Sequence, residues 1–115
     1  MQQCINNEDF KNTGFYYAWS LVKGKYKVPI LYALMEYKVV RYNAIKKYLG
    51  GDMSYKMLTS ALRELEADGL VNRKEYQQMP PKVEYSLSDR GKSLIPILDS
   101  LCDWGDSLIK NLKSI

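Results

Sequence analysis

The sequence has 115 residues, enough for one domain with a modest core, and its 17 basic against 13 acidic side chains leave a formal charge of +4 that favours an anionic partner. It holds no histidine, and its two cysteines, Cys4 and Cys102, stand far apart, which argues against structural zinc, His-based catalysis and a disulfide scaffold. No apolar run reaches the length of a membrane span and the first residues are too polar for a signal peptide, so a cytoplasmic protein is expected.

In chain order, residues 1–12 read as a flexible polar tail. From Tyr16 to Val22, and again from Tyr26 to Tyr37, apolar residues recur at helical intervals, with Gly24 as the break. Pro29 fits the first turn of the second helix, where its missing N–H costs little. A third helix is predicted after Tyr42, with Asn43 as its cap and Gly50–Gly51 as its stop. The fourth is the clearest: Ser54 caps it, Gly69 ends it, and Leu58, Ala61, Leu62 and Leu65 form one apolar stripe.

The period then changes. VNRKEYQ and KVEYSLS read as strands joined through Gln78, Met79, Pro80 and Pro81, a stiff connection rather than a tight turn. A last helix, 88–113, is predicted to start near Ser88, and Pro96 should kink or break it. Its seam of Leu94, Leu98, Leu101, Leu108, Leu112 and Ile115, with Cys102 one row over, reads as a dimer interface. The fold class expected is mainly α with a small β-hairpin wing: one winged helix-turn-helix domain over 1–115, with N- and C-terminal dimerisation helices.

A helix can enter the major groove of DNA if one face packs on the body and the other offers hydrogen-bond donors. On the fourth helix the non-core face carries Ser54, Tyr55, Lys56, Thr59, Ser60 and Arg63, hydroxyls and cations suited to base edges and phosphates. Around the tip of the hairpin, Arg73, Lys74 and Lys82 suit the backbone or the minor groove. Glu64, Glu66 and Asp68 lie toward the far end, so the N-terminal half of the helix should approach DNA; Glu64 and Glu66 read most simply as solubility residues. Nothing supplies a nucleophile–base pair, a phosphate loop or a metal constellation, so no enzyme and no cofactor are expected.

Residues 56–73, KMLTSALRELEADGLVNR, and 80–98, PPKVEYSLSDRGKSLIPIL, resemble the HxlR family of bacterial winged-helix regulators, relatives of the MarR group. The resemblance extends from about Tyr16 to Gly105, through GKYKVPILYAL, with Tyr26 where the family usually has Trp, and RYNAIKKYLGG. It implies a homodimer that binds an operator and regulates transcription, with Ser54, Lys56, Thr59 and Arg63 at the recognition-helix positions and Lys74, Pro81 and Lys82 at the wing. Many members sense oxidants through an upstream cysteine whose place here falls at Thr13; Cys4, nine residues earlier, is the redox candidate.

The expected function is therefore sequence-specific transcriptional regulation by a homodimer on a palindromic operator. Two alternatives stand beside it: a winged helix used for protein interaction without DNA, and a regulator gated by a small molecule or an oxidant.

Overall fold

The computed structural model describes residues 6–50 and 52–113; Cys4, Gly51 and Ile115 lie outside them. The elements follow in the order α1 (Asn7–Lys11), α2 (Gly14–Val22), α3 (Lys27–Tyr37), β1 (Val39–Arg41), α4 (Tyr42–Leu49), α5 (Tyr55–Ala67), β2 (Val71–Tyr76), β3 (Lys82–Leu87), α6 (Asp89–Lys92) and α7 (Ile95–Lys113). Three strands form one antiparallel sheet in the order β1-β3-β2. This is the winged helix-turn-helix expected, with β2 and β3 as the wing.

The core follows from the apolar stripes. Ile30, Leu31 and Leu34 of α3, Ile45 of α4, and Leu58, Leu62 and Leu65 of α5 are all 0–1% exposed. They meet Leu70, Val71, Tyr85 and Leu87 from the base of the hairpin. Each such aliphatic side chain contributes about 1.5–3 kcal/mol of hydrophobic stabilisation. The turn between α4 and α5 is pinned by Met53, 1% exposed, and Ser54 caps α5 by accepting the Met57 N–H at 3.1 Å.

Three expectations are corrected. Residues 7–11 of the supposed tail are helical: the Asn6 side chain accepts the Asp9 N–H, and Phe10 packs edge-on to Tyr16, 5.2 Å between centroids. Asn43 is not the cap of α4: the helix starts at Tyr42, Asn43 lies inside its first turn, and the cap position falls two residues earlier, at Arg41, without a side-chain hydrogen bond. The pairing of β1 with β3, Val39 to Ser86 through Arg41 to Glu84, holds that helix start instead.

The break expected at Pro96 is present: the last helix is two, parted at Ser93 and Leu94, with Pro96 in the first turn of α7. Proline has no N–H to offer the carbonyl four residues back, so the chain closes α6 with Leu94 N–H to the Gly91 carbonyl and restarts with Leu98 N–H to the Leu94 carbonyl. The third correction is Leu98, which the seam assigns to a dimer interface: it is 6% exposed and belongs to the chain's own core, against which Leu94 also packs.

One glycine is required by a close approach. A Cβ on Gly91 would lie 2.1 Å from the Leu70 carbonyl oxygen, so only glycine lets α6 lie against the start of the hairpin.

Candidate nucleic-acid interface

Helices α4 and α5 form the helix-turn-helix, and burial of Leu58, Ala61, Leu62 and Leu65 turns the opposite face of α5 outward. Ser54, Tyr55, Lys56, Ser60 and Arg63 are exposed there, and Tyr55 keeps 62% of its surface. Thr59 differs from this set: it is half-buried and already bonded within the protein.

Its partner is Tyr42, the first residue of α4, which sequence reading had not singled out. The Tyr42 hydroxyl donates to the Tyr55 carbonyl at 2.9 Å and shares a second bond of 2.9 Å with Thr59 Oγ1. The ring of Tyr42 lies parallel to that of Tyr55, 6.0 Å between centroids with 6° between planes. Lys46 brings its ammonium 4.7 Å from the Tyr55 centroid. The N-terminal end of α5 is thus fastened to α4 by a stack and two hydrogen bonds, which places a cation and an aromatic edge beside the outward face. Only the four-residue recurrence of Tyr42 and Lys46 on one helical face would have hinted at it.

The acidic end behaves differently from a solvated patch. Glu64 lies 3.3 Å from the Lys27 ammonium, and Glu66 lines a cleft of about 480 Å3 between α5 and the hairpin, together with Thr59, Arg63, Arg73 and Tyr85.

On the wing, the strand register sorts the cations by face. Arg73 pairs with Tyr85 and faces the cleft, where it bonds Glu75 at 3.3 Å, away from Lys74 and Lys82. Lys74 and Lys82 share the other face, and both ammoniums approach the Tyr76 ring, at 4.9 and 4.7 Å. Lys82 is further paired with Glu84 at 3.4 Å. The Tyr76 hydroxyl, and then Lys82 and Arg41, hold the Glu84 carboxyl below the usual carboxylate range. Pro81 is exposed, and Met79 stands out from the tip at 95% exposure.

Of the candidate interface residues on the last helix, Leu101, Leu108 and Leu112 are exposed, Cys102 and Leu94 are half-buried, and Leu98 is buried. Ile97 and Trp104, both 63% exposed, complete an apolar stripe at helical spacing that the heptad reading had passed over. On α2, Phe15 and Trp19 stack at 6.3 Å and are at least half exposed.

Residues 21–113 match the HxlR-like helix-turn-helix family, which covers both helices, the wing and α7. The chain belongs to the HxlR family. An HTH-type transcriptional regulator of Halalkalibacterium halodurans is 51% identical over 98 residues, 85% of this chain and 86% of that protein. The HTH-type regulator YdzF of Bacillus subtilis is 47% identical over 95 residues, 83% of this chain and 86% of its own length. Among solved structures, the redox regulator HypR in its reduced form superposes with a TM-score of 0.78 at 37% identity, covering 90% of this chain and 100% of that one.

This HxlR-family chain is thus a transcriptional regulator of helix-turn-helix type, and its relatives are regulators rather than enzymes. DNA binding is what the family implies. Among the described residues no helix is long and apolar enough to cross a membrane.

Proposed function

We propose that the protein acts in the cytoplasm as a homodimer that represses or activates transcription by reading an approximately palindromic operator. The observation that carries this reading is the division of α5: one face is buried by Leu58, Leu62 and Leu65, and the other presents Tyr55, Lys56, Ser60 and Arg63 to solvent. In this reading Arg63 contacts a base edge, Lys56 contacts phosphate, and Lys74 and Lys82 follow the backbone from the wing. The exposed stripe of Ile97, Leu101, Trp104, Leu108 and Leu112 supports dimerisation, because an apolar row of this length is costly to leave in water. Two α5 helices would then enter successive major grooves roughly 34 Å apart.

Fluorescence anisotropy against duplex from the protein's own upstream region, beside a scrambled duplex at two salt concentrations, tests it. Tighter binding to the native duplex that survives the higher salt is the expected result. Binding to neither duplex at low salt would replace the reading with a protein-interaction module.

A second reading, gating by an oxidant, draws on the similarity to HypR, which is described as a redox regulator. Here Cys102 is half-buried on α7, and Cys4 is the other thiol that such gating would use. A covalent dimer on a nonreducing gel after oxidant treatment, abolished by Cys4→Ser or Cys102→Ser, would support it; its absence would reject it.

A further inference from the structure

We infer that Tyr42 is a specificity-determining residue, which fixes Thr59 as a pure hydrogen-bond acceptor toward DNA and so selects an adenine or cytosine amino group at the contacted base. The inference rests on the proposal that α5 enters the major groove, and names what one position of that helix reads there.

The direction of the protons follows from counting them. A phenol has one hydrogen, and a carbonyl oxygen can only accept. The 2.9 Å bond from Tyr42 to the Tyr55 carbonyl therefore uses the Tyr42 proton. The second bond, also 2.9 Å, then forms only if the Thr59 hydroxyl donates to the Tyr42 oxygen.

A threonine in a helix either turns its hydroxyl back onto the carbonyl four residues before it, which for Thr59 is that of Tyr55, or points it to solvent, where it is free to donate. Here the Tyr42 hydroxyl stands between the two and joins both. Thr59 keeps lone pairs for an outside partner, and its proton is spent.

In the major groove, adenine N6 and cytosine N4 are donors, whereas guanine O6 and thymine O4 are acceptors. A hydroxyl free to rotate serves either kind. One whose proton is held inward accepts from an amino group and meets a keto oxygen with lone pair against lone pair. Thr59 also lines the outward groove of α5 with Tyr55, Lys56, Ser60 and Arg63.

The restraint is rigid for a local reason. The Tyr42 ring is held by its stack on Tyr55, which also carries the Lys46 ammonium, and neither contact uses the hydroxyl. Tyr42→Phe therefore removes the proton lock and keeps the packing.

The test is selection of binding sites from a random duplex pool by the purified full chain, its Tyr42→Phe, Thr59→Val and Thr59→Ser variants, followed by anisotropy on the enriched duplexes. Exchanging A for G, or C for T, replaces an amino group by a keto group at the same place in the groove. The wild type is expected to enrich an amino base at one position of each half-site and to lose about tenfold in affinity on that exchange. Tyr42→Phe and Thr59→Val are expected to cut the ratio below about threefold, while Thr59→Ser retains it.

A Tyr42→Phe protein that keeps the same base and the same ratio overturns the inference and leaves the proposed function standing. A wild type that enriches no sequence overturns the proposed function, and the inference with it. Should Tyr42→Phe not fold, the comparison of Thr59→Val with Thr59→Ser decides: equal ratios in the two reject a hydroxyl acceptor.

Discussion

The Lys27 ammonium lies 3.3 Å from the Glu64 carboxylate, with the lysine side chain 10% exposed and the glutamate 60% exposed, so the first turn of α3 is ion-paired to the recognition helix. Glu64 had read as a solubility residue. Burial makes the two ends unequal, because removing the exposed partner leaves a desolvated cation. Glu64→Ala is expected to cost about 1 kcal/mol, held to that by solvent around the carboxylate. Lys27→Met, which removes the buried charge itself, should be close to neutral. Urea midpoints of the two variants decide it; equal losses would mean that the ion pair itself, and not an unpaired buried cation, accounts for the effect.

Gly91 is expected to tolerate no side chain. Alanine there would need to displace the Leu70 backbone carbonyl, which also accepts the Ser88 N–H. Overpacking against backbone costs about 1–3 kcal/mol. A thermal melt of Gly91→Ala should show a clear loss, whereas Gly105→Ala, with open space around its Cβ, should not.

Leu98 and Leu108 share a seam in sequence and part company in space, at 6% and 45% exposure. Leu98→Ala should therefore destabilise the fold by about 2–5 kcal/mol. Leu108→Lys should leave each subunit folded and shift sedimentation from dimer to monomer, with a loss of operator affinity. A monomeric wild type would refute the dimer and spare the core assignment.

The wing cations should not weigh equally. Lys82 is partly neutralised by Glu84, whose lowered pKa keeps the carboxylate ionised at neutral pH, so the pairing is present there and is lost only as pH falls through the folded-state value. Glu84→Gln is expected to raise affinity for any duplex and steepen the salt dependence by up to about one phosphate contact. Lys82→Ala should weaken binding to operator and scrambled DNA alike, while Arg63→Ala should weaken the operator more. Salt titrations of the three variants on both duplexes give the comparison; equal losses for Arg63→Ala would reject its base contact.

Local chemistry alone determined a large part of this protein. Ser54 and Gly69 bracket α5 because a side-chain cap and a left-handed glycine, φ 77°, act within a few residues. The β2 and β3 strands, Val71–Tyr76 and Lys82–Leu87, fall in the segments rich in Val and Tyr, and in β3 Val83, Tyr85 and Leu87 alternate with polar residues. The outward set on α5 was readable for the same reason: a helix repeats every few residues, so its buried stripe reveals its exposed one.

Only the tertiary structure decided the rest. β1 is three residues long and exists because β3, far along the chain, offers it a ladder of hydrogen bonds. The heptad seam could not tell Leu98 from Leu108, since periodicity gives the face a residue shares and not what covers that face. Neither could it show that Thr59 bonds Tyr42. A hydroxyl's partner is set by how two helices pack, and that geometry is written in contacts between residues distant in sequence.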